Sequence, residues 1–342
     1  MNNGLYARIA LACLFPITTF LTASCIYIGD VDGWSDRVRF EKQVPLSAPL
    51  QPGASFSAVT GDGAIVVNGL DTAECKVLAK VVTHARTQEA AEELAQQIDV
   101  KLVPAGDGLK VIIDKPPVIR NASYSVSLDV DLPTRTSLAL ETSDGAVHIT
   151  NVTGEINAKT SDGSIEAEGL NGNVNLKTSD GGITCSRVEG KTLNLQTSDG
   201  SIKLTQATLG TGEIQTSDGN ITLGEVRGDS LSLRTSDGSI RCRGIVAARA
   251  TCHTSDGSIE LEFSPEAPKA LNLNATTSNG SITVTAPAGL SAAIEANTDD
   301  GSINTNLPIT VEGKIGKSLR GTIGAGEGKV SLKTTDGSIT IR

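Results

Sequence analysis

The sequence predicts an all-β fold, specifically a β-solenoid (β-helix) of about 18–19 residues per coil, and two observations predict it. The first is the tetrapeptide Thr-Ser-Asp-Gly, whose aspartates recur at 144, 162, 180, 199, 218, 237 and 256, in steps of 18 or 19 residues. The second is the alternation of apolar and polar residues between the copies, which is typical of strands. A period this short, with strand-like segments, indicates coils that stack on one another.

The composition agrees with a thin core of stacked aliphatic side chains. Aromatic residues make up 3% of the chain, and it has one methionine, so the usual large fillers of a thick globular core are scarce. Near copies of the motif begin at Thr60, Thr277, Thr298 and Thr334. About eleven coils at ~4.8 Å each would make a rod roughly 50 Å long.

Three rows of residues, counted from each motif aspartate, are predicted to point inward because they are consistently apolar. Four before it stand Leu140, Ala158, Leu176, Leu195, Ile214, Leu233 and Cys252; three after it Val147, Ile165, Ile183, Ile202, Ile221, Ile240 and Ile259; eight after it Val152, Leu170, Val188, Ala207, Val226 and Ile245. Stacking would place each row over itself and build one continuous core.

The motif itself has the composition of a tight turn. The turn glycines are Gly145, Gly163, Gly181, Gly200, Gly219, Gly238 and Gly257; we expect them to supply a positive φ. The preceding aspartate is expected to accept backbone N–H groups in an Asx turn, and the threonine hydroxyls are expected to hydrogen-bond between coils.

A calcium-binding edge is the alternative interpretation of the aspartate row. Its ligands would be Asp144, Asp162, Asp180, Asp199, Asp218, Asp237 and Asp256. Stacked carboxylates repel, and an oxygen-seeking cation such as Ca²⁺ would relieve that repulsion. Asn279 replaces aspartate in one near copy, and the GGxGxD nonapeptide of calcium-loaded β-rolls is absent from the sequence, so the structural interpretation is favoured and no cofactor is expected.

The chain divides into five segments. They are a signal peptide (1–24), a lipidated N-terminus and tether (25–49), a first coil with an N-terminal α+β capping insertion that carries one short helix at 87–98 (50–134), the solenoid of TSDG coils (135–306), and C-terminal coils with a cap (307–342). The insertion is expected to cover one end of the stack, because a naked solenoid edge invites strand addition.

The N-terminus is typical of an exported protein. Arg8 precedes an apolar run that is too short to span a bilayer comfortably and contains Pro16. The run ends in LTASC, which resembles the lipobox of bacterial lipoproteins and would make Cys25 the lipidated residue. The expected location is therefore the bacterial cell envelope, with a lipid anchor on the membrane surface; cleavage near Ala23 without lipidation is the alternative.

The residues outside the motif argue against several functions. The net charge of −10 and the scarcity of aromatics exclude the basic face and stacking platforms of nucleic-acid binding. His148 and His253 are about six coils apart, roughly 29 Å, and the aligned acids occur one per coil rather than as a catalytic pair. No enzyme is therefore expected. Pairing of Cys242 with Cys252 stays open, against both being core residues.

The chain resembles the bacterial β-strand-repeat family known as the putative adhesins, a domain of unknown function related to auto-transporter adhesin head domains. The resemblance covers roughly residues 50–342 and rests on DGAIVVNG, the helix-containing insertion, the TSDGSI coils and the closing TTDGSITI. It implies an exported or membrane-associated bacterial protein, and some relatives are linked to envelope stress responses.

These observations predict a non-enzymatic, adhesin-like envelope protein that binds extracellular or envelope material, such as a polysaccharide. One alternative is an envelope stress sensor or scaffold that binds a protein partner through the helix at 87–98. Another is a β-helix carbohydrate-active enzyme.

Overall fold

The structure is a computed structural model that describes residues 24–25, 37–117, 121–312 and 316–342. These residues form 25 strands and one α-helix, α1 (Gln88–Gln97). The strands are β1 (Ser24–Cys25), β2 (Val38–Pro49), β3 (Ser55–Val59), β4 (Ile65–Leu70), β5 (Glu74–Ala85), β6 (Asp99–Ala105), β7 (Gly108–Asp114), β8 (Ser123–Pro133), β9 (Ser137–Glu141), β10 (Val147–Thr150), β11 (Thr153–Lys159), β12 (Ile165–Lys177), β13 (Ile183–Gln196), β14 (Ile202–Gln215), β15 (Ile221–Arg234), β16 (Ile240–His253), β17 (Ile259–Phe263), β18 (Asn272–Thr276), β19 (Ile282–Thr285), β20 (Ala292–Asn297), β21 (Ile303–Thr305), β22 (Thr310–Val311), β23 (Ser318–Ile323), β24 (Gly328–Lys333) and β25 (Ile339–Ile341).

The strands stack in two parallel series, one on each side of the turns. The post-turn face is the series of strands that follow the turns, in the order β8, β4, β10, β12, β13, β14, β15, β16, β17, β19, β25, β21. The pre-turn face is the series that precede them, in the order β7, β3, β9, β11, β12, β13, β14, β15, β16, β18, β24, β20. Strands β12 to β16 are long and contribute to both faces, so each coil is one turn of a β-solenoid. The predicted fold class is confirmed.

Identical core positions of successive coils lie side by side. Ile165, Ile183, Ile202 and Ile221 pair in register across β12 to β15, and all four are buried. The three predicted inward rows are buried throughout and belong to one hydrophobic cluster. The core is therefore a narrow column of branched aliphatic side chains that each coil extends by one layer.

At the C-terminal end the coils do not stack in chain order. Strand β25 pairs with β19 on one side and with β21 on the other, and β24 lies in the same way between β18 and β20. The last coil of the sequence, around Asp336, thus lies between the coils of Asn279 and Asp300. The expectation that residues 307–342 would simply close the end is wrong for this coil, because β23 runs back antiparallel along β20 and returns the chain to the gap.

The N-terminal end carries an antiparallel layer. Strand β5 pairs antiparallel with β8, and β2 pairs with β5 through all twelve of its residues. Residues 38–49 are therefore a strand of this layer and not part of a tether. Alternate residues of β2, such as Val44 and Leu46, are buried, which explains why the segment pairs rather than extending freely.

The predicted helix covers part of this layer. The side chain of Thr87 accepts a hydrogen bond from the Ala90 N–H and caps the helix. The helix contacts β2 and β5, with Ala91, Leu94 and Ala95 buried. At its other end Lys42 Nζ donates to the carbonyls of Ala95 and Ile98 at 3.3 and 3.1 Å, where a cation is favourable.

Candidate functional site

The turn threonines hold consecutive coils together through their hydroxyls. Thr216 Oγ1 donates to the carbonyls of Ser198 and Gly200 in the preceding coil, at 3.0 and 2.9 Å, and accepts the N–H of Gly219 in its own turn at 3.2 Å. The same donations recur along the array, and the threonines are buried. The expected inter-coil role of threonine is present, with backbone carbonyls rather than neighbouring hydroxyls as acceptors.

The turn glycines are required for closeness and not for a positive φ. Glycines with positive φ occur elsewhere in the chain but not at the seven TSDG turns. A Cβ on Gly219 would lie 1.9 Å from the carbonyl oxygen of Gly200, and each neighbouring turn repeats this contact at 1.9–2.0 Å. The expected conformational role is therefore wrong: glycine is present because stacked turns approach backbone to backbone.

The seven motif aspartates are exposed and do not form the expected Asx turns. The N–H two residues after the aspartate, which an Asx turn would use, bonds to the preceding coil at Asn220, Ser239 and Ser258. The N–H of the turn glycine is taken by the threonine hydroxyl. In the described part of the chain, Asp256 is the one motif aspartate whose carboxylate receives a hydrogen bond, from Asn279 of the next coil. The carboxylates thus form an acidic edge along the rod.

The calcium interpretation gains no support from the geometry. Among the described residues there is no group of three or more His, Cys, Asp or Glu side chains that could hold a metal ion. The aspartates are one per coil and point to solvent. Calcium binding at this edge stays a hypothesis that rests on the sequence alone.

A left-handed corner that sequence analysis missed occurs in six consecutive coils. The residue seven after the aspartate has a positive φ at Asn151, Gly169, Arg187, Gln206, Glu225 and Gly244. Three of these six are long side chains for which the left-handed region is uncommon. The signal in the sequence is faint, because only Asn and Gly among the six are typical of such a conformation.

The post-turn face carries mixed charges that pair between coils. His148 Nδ1 lies 3.3 Å from Glu166, and Arg241 lies 3.7 Å from Glu260. His148 and His253 belong to different faces and separate coils, so they do not form a common site. Both contacts are exposed, and exposed contacts of this kind contribute little to stability.

The outward residues of the pre-turn face form two rows. The row three before the aspartate contains Val59, Glu141, Lys159, Lys177, Gln196, Gln215, Arg234, His253, Thr276, Lys333 and Asn297; the row five before it contains Lys110, Ser57, Ala139, Asn157, Asn175, Asn194, Glu213, Ser232, Thr251, Asn274, Ser331 and Glu295. Of these 23 side chains, 12 carry a hydroxyl or an amide and eight are charged. The face is therefore a regular and mainly polar surface, on which neighbouring strands are about 4.8 Å apart.

Three consecutive asparagines form a ladder on this face. Asn194 Nδ2 donates to Asn175 Oδ1 at 2.9 Å, and Asn175 Nδ2 donates to Asn157 Oδ1 at 3.2 Å. Each amide nitrogen carries two hydrogens, so one per residue is left for solvent or a ligand. The ladder fixes the orientation of these groups before any ligand arrives.

Two shallow grooves open on the pre-turn face. One, of about 360 Å³, lies near the N-terminal end between Lys110, Lys159 and Lys177. The other, of about 410 Å³, lies near the C-terminal end and is lined by Arg249, Asn272, Asn274, Thr251, Lys329 and Ser331. A third, of about 400 Å³, lies at the left-handed corner around Arg187 and Gln206.

Four cysteines are buried in the core of the fold. Cys75, Cys185, Cys242 and Cys252 are free and buried, which answers the open question of a Cys242–Cys252 bond. Burial raises the pKa of the Cys185 and Cys252 thiols to about 12. Such thiols stay protonated and act as small core side chains.

The N-terminal predictions concern residues that are largely outside the described part of the chain. The apolar run of the predicted signal peptide lies wholly there. Ser24 and Cys25 form β1, which pairs antiparallel with Gln43 and Lys42 of β2, and lipidation of Cys25 stays a prediction. No helix within the described ranges is both long and apolar enough to cross a membrane.

Parallel coils of one short period, closed at one end by an antiparallel layer, define a β-solenoid repeat protein. The chain belongs to the Toastrack DUF4097 family, whose model matches residues 119–190 and 168–342 and which is a domain of unknown function. No curated protein matches the chain.

Two solved structures are similar to it. A putative cell adhesion protein from Clostridium sporogenes is 12% identical, with 87% of this chain and 98% of that chain covered, at a TM-score of 0.19. A putative adhesin from Bacteroides fragilis is 15% identical, with 88% of this chain and 97% of that chain covered, at a TM-score of 0.32.

Proposed function

We propose that this protein is an exported, lipid-anchored and non-enzymatic adhesin-like solenoid, which binds envelope or extracellular material through its pre-turn face. The observation that carries the proposal is the pair of outward rows on that face, which present mainly hydroxyl, amide and charged groups at the strand spacing over twelve strands. Two of the three grooves described above open on it. Groups held in register by a rigid core lose little freedom on binding, which favours an extended polymer as ligand.

The alternative of a sensor that binds a protein through α1 has weaker support. The apolar residues of the helix face β2 and β5, and its exposed side chains include Glu89, Glu93 and Gln96. A docking helix would be expected to present an apolar stripe to its partner. The acidic outer surface of α1 presents none.

The test is capture of bacterial envelope material on the immobilised full chain. One variant adds two charges to the pre-turn face, Gln215→Glu with Ser232→Glu, and the matched control adds two to the post-turn face, Thr184→Glu with Thr222→Glu; all four positions are exposed. We expect saccharide to be retained by the wild type and the control and lost by the pre-turn variant.

Two results would contradict the proposal. Equal retention of saccharide by both variants would show that the pre-turn face is not the binding surface. Release of new reducing ends from the captured saccharide would show turnover, and the protein would then be a β-helix enzyme.

A further inference from the structure

The groove near the N-terminal end exists because two short side chains interrupt the outward row. Ser57 and Ala139 lie between Lys110 on one side and Asn157 on the other, each on its own strand. The floor drops where their side chains end, and a volume of about 360 Å³ opens. We call this feature, lined by Lys110, Ser57, Ala139, Asn157, Lys159 and Lys177, the lysine groove.

The lysine groove is cationic on a chain whose net charge is −10. It is bordered by three lysines and one acid, Glu141. Lys159 lies 3.6 Å from Glu141, whereas Lys110 and Lys177 form no salt bridge with any other described residue. The local charge of the groove is therefore positive, whereas the turn edge beside it is acidic.

Two of the lysines lie close enough to hold one anion together. Lys159 and Lys177 occupy the same position on the adjacent strands β11 and β12, and the backbones of such strands are about 4.8 Å apart. An anionic group between the two side chains would accept charge-assisted hydrogen bonds from both.

The remaining chemistry of the groove suits a hydroxyl-rich chain. Asn157 and Asn175 of the ladder line it, and each has an amide hydrogen not used in the ladder. No aromatic residue lines it, so a base or an aromatic ring would find no stacking surface. The groove runs along the rod from Lys110 to Asn175, four strand steps or roughly 19 Å, and is open to solvent.

We propose that the lysine groove binds an anionic glycan, a linear saccharide that carries carboxylate or phosphate groups. The lysines hold the anionic groups and the asparagine amides hold sugar oxygens. This inference rests on the proposed function, since it names the class of material that the pre-turn face would select. The repeated coil spacing lets one chain contact Lys110, Lys159 and Lys177 together.

The experiment uses the full chain and three defined polymers: polygalacturonate as a carboxylate glycan, poly(glycerol phosphate) as a phosphate polymer, and neutral dextran. The groove variant is K110Q/K159Q/K177Q, and the control is K191Q/K203Q/K269Q, which removes the same charge from exposed lysines off the pre-turn face. Circular dichroism confirms that each variant is folded. We expect at least one anionic polymer to bind about tenfold more tightly than dextran, with binding that weakens as salt is added.

The groove variant should lose that preference, whereas the control should keep it. The anionic polymer that binds identifies the carboxylate or the phosphate as the recognised group. Equal binding of dextran and both anionic polymers, or an unchanged preference in the groove variant, would overturn the inference. If the wild type captures envelope saccharide through the pre-turn face but shows no anionic preference, the inference fails while the proposed function stands.

Discussion

Replacing Thr216 with valine tests whether the threonine hydroxyl stabilises the array. Thr216 is 2% exposed and lies in the middle of the regular coils. Valine keeps the shape of the side chain but removes the hydroxyl, so no cavity is created. The hydroxyl contacts to Ser198 and Gly200 and the bond from Gly219 are lost together.

The expected loss follows from which groups are left without a partner. The Ser198 carbonyl keeps two backbone donors, the N–H groups of Ser217 and Asp218. The Gly200 carbonyl and the Gly219 N–H have no other partner among the described contacts. A fully buried polar group left unsatisfied costs about 1–3 kcal/mol. Because the contact to the Gly200 carbonyl is only part-buried, the substitution should destabilise the protein by about 2–4 kcal/mol rather than by the full sum for two buried groups.

Urea unfolding followed by far-ultraviolet circular dichroism measures this loss, with Asp218→Asn as the matched control in the same turn. The Asp218 carboxylate is exposed and receives no hydrogen bond, so its substitution should change the free energy of unfolding by less than about 0.5 kcal/mol. An unchanged m value would show that the same surface unfolds in each variant. The reasoning would be refuted if Thr216→Val were as stable as the wild type, or if the aspartate variant lost as much.

Three further predictions follow from the turn, the corner and the N-terminal layer. Gly219→Ala should lower the free energy of unfolding in urea by about 3 kcal/mol, because its Cβ meets backbone that cannot move aside. Gly224→Ala is the control and should be nearly neutral, because its Cβ would make only ordinary contact with Thr205. Equal losses in the two variants would contradict the role of close backbone approach at Gly219. Gln206→Gly should stabilise by up to about 1 kcal/mol because it relieves a φ of 55°, and no gain in the unfolding midpoint would show that the corner is unstrained. Burial alone would raise the pKa of Glu41, but hydrogen bonds from Lys80 and Gln43, with the charges of Lys80 and Arg39, outweigh it and lower the pKa. Glu41→Gln should therefore be less stable than the wild type above the usual pKa of 4.5, and the difference should vanish as pH falls through the lowered value. Thermal melts measure this, and a stability difference that does not depend on pH would contradict the prediction.

The period and the inward rows were predictable because each coil repeats the same local pattern. A spacing of 18 or 19 residues and a two-residue alternation leave one way to bury every row at once. The helix was predictable for a similarly local reason, since Thr87 precedes a run of good helix formers with a spaced apolar face.

The roles of individual turn residues were less predictable, because one residue type can serve two purposes. A glycine that permits a positive φ and a glycine that permits close approach, such as Gly219, are the same letter in the sequence. The left-handed corner at Arg187 and Gln206 has no local signal, since stacking on neighbouring coils imposes that conformation.

The lysine groove and the interleaved coil depend on contacts between residues far apart in the sequence. Lys110 and Asn157 come to border one groove only because β7, β3, β9 and β11 lie side by side. The pairing of Ile282 with Ile339 likewise joins two repeats that are separated by another copy. Periodicity predicts that coils stack, but not which coil lies next to which.

The interleaved coils near the C-terminal end make β20 and β21 depend on strands that come later in the chain. During synthesis β20 and β21 leave the ribosome before β24 and β25, the strands on which they stack, have been made. A chain that ends early would leave a gap one coil high, with Ile282 and Ile303 exposed on its two sides instead of buried. Chains that lack β24 and β25 would thus display apolar surface and open strand edges, so the first and last coils of this end are joined only when the strands between them are in place.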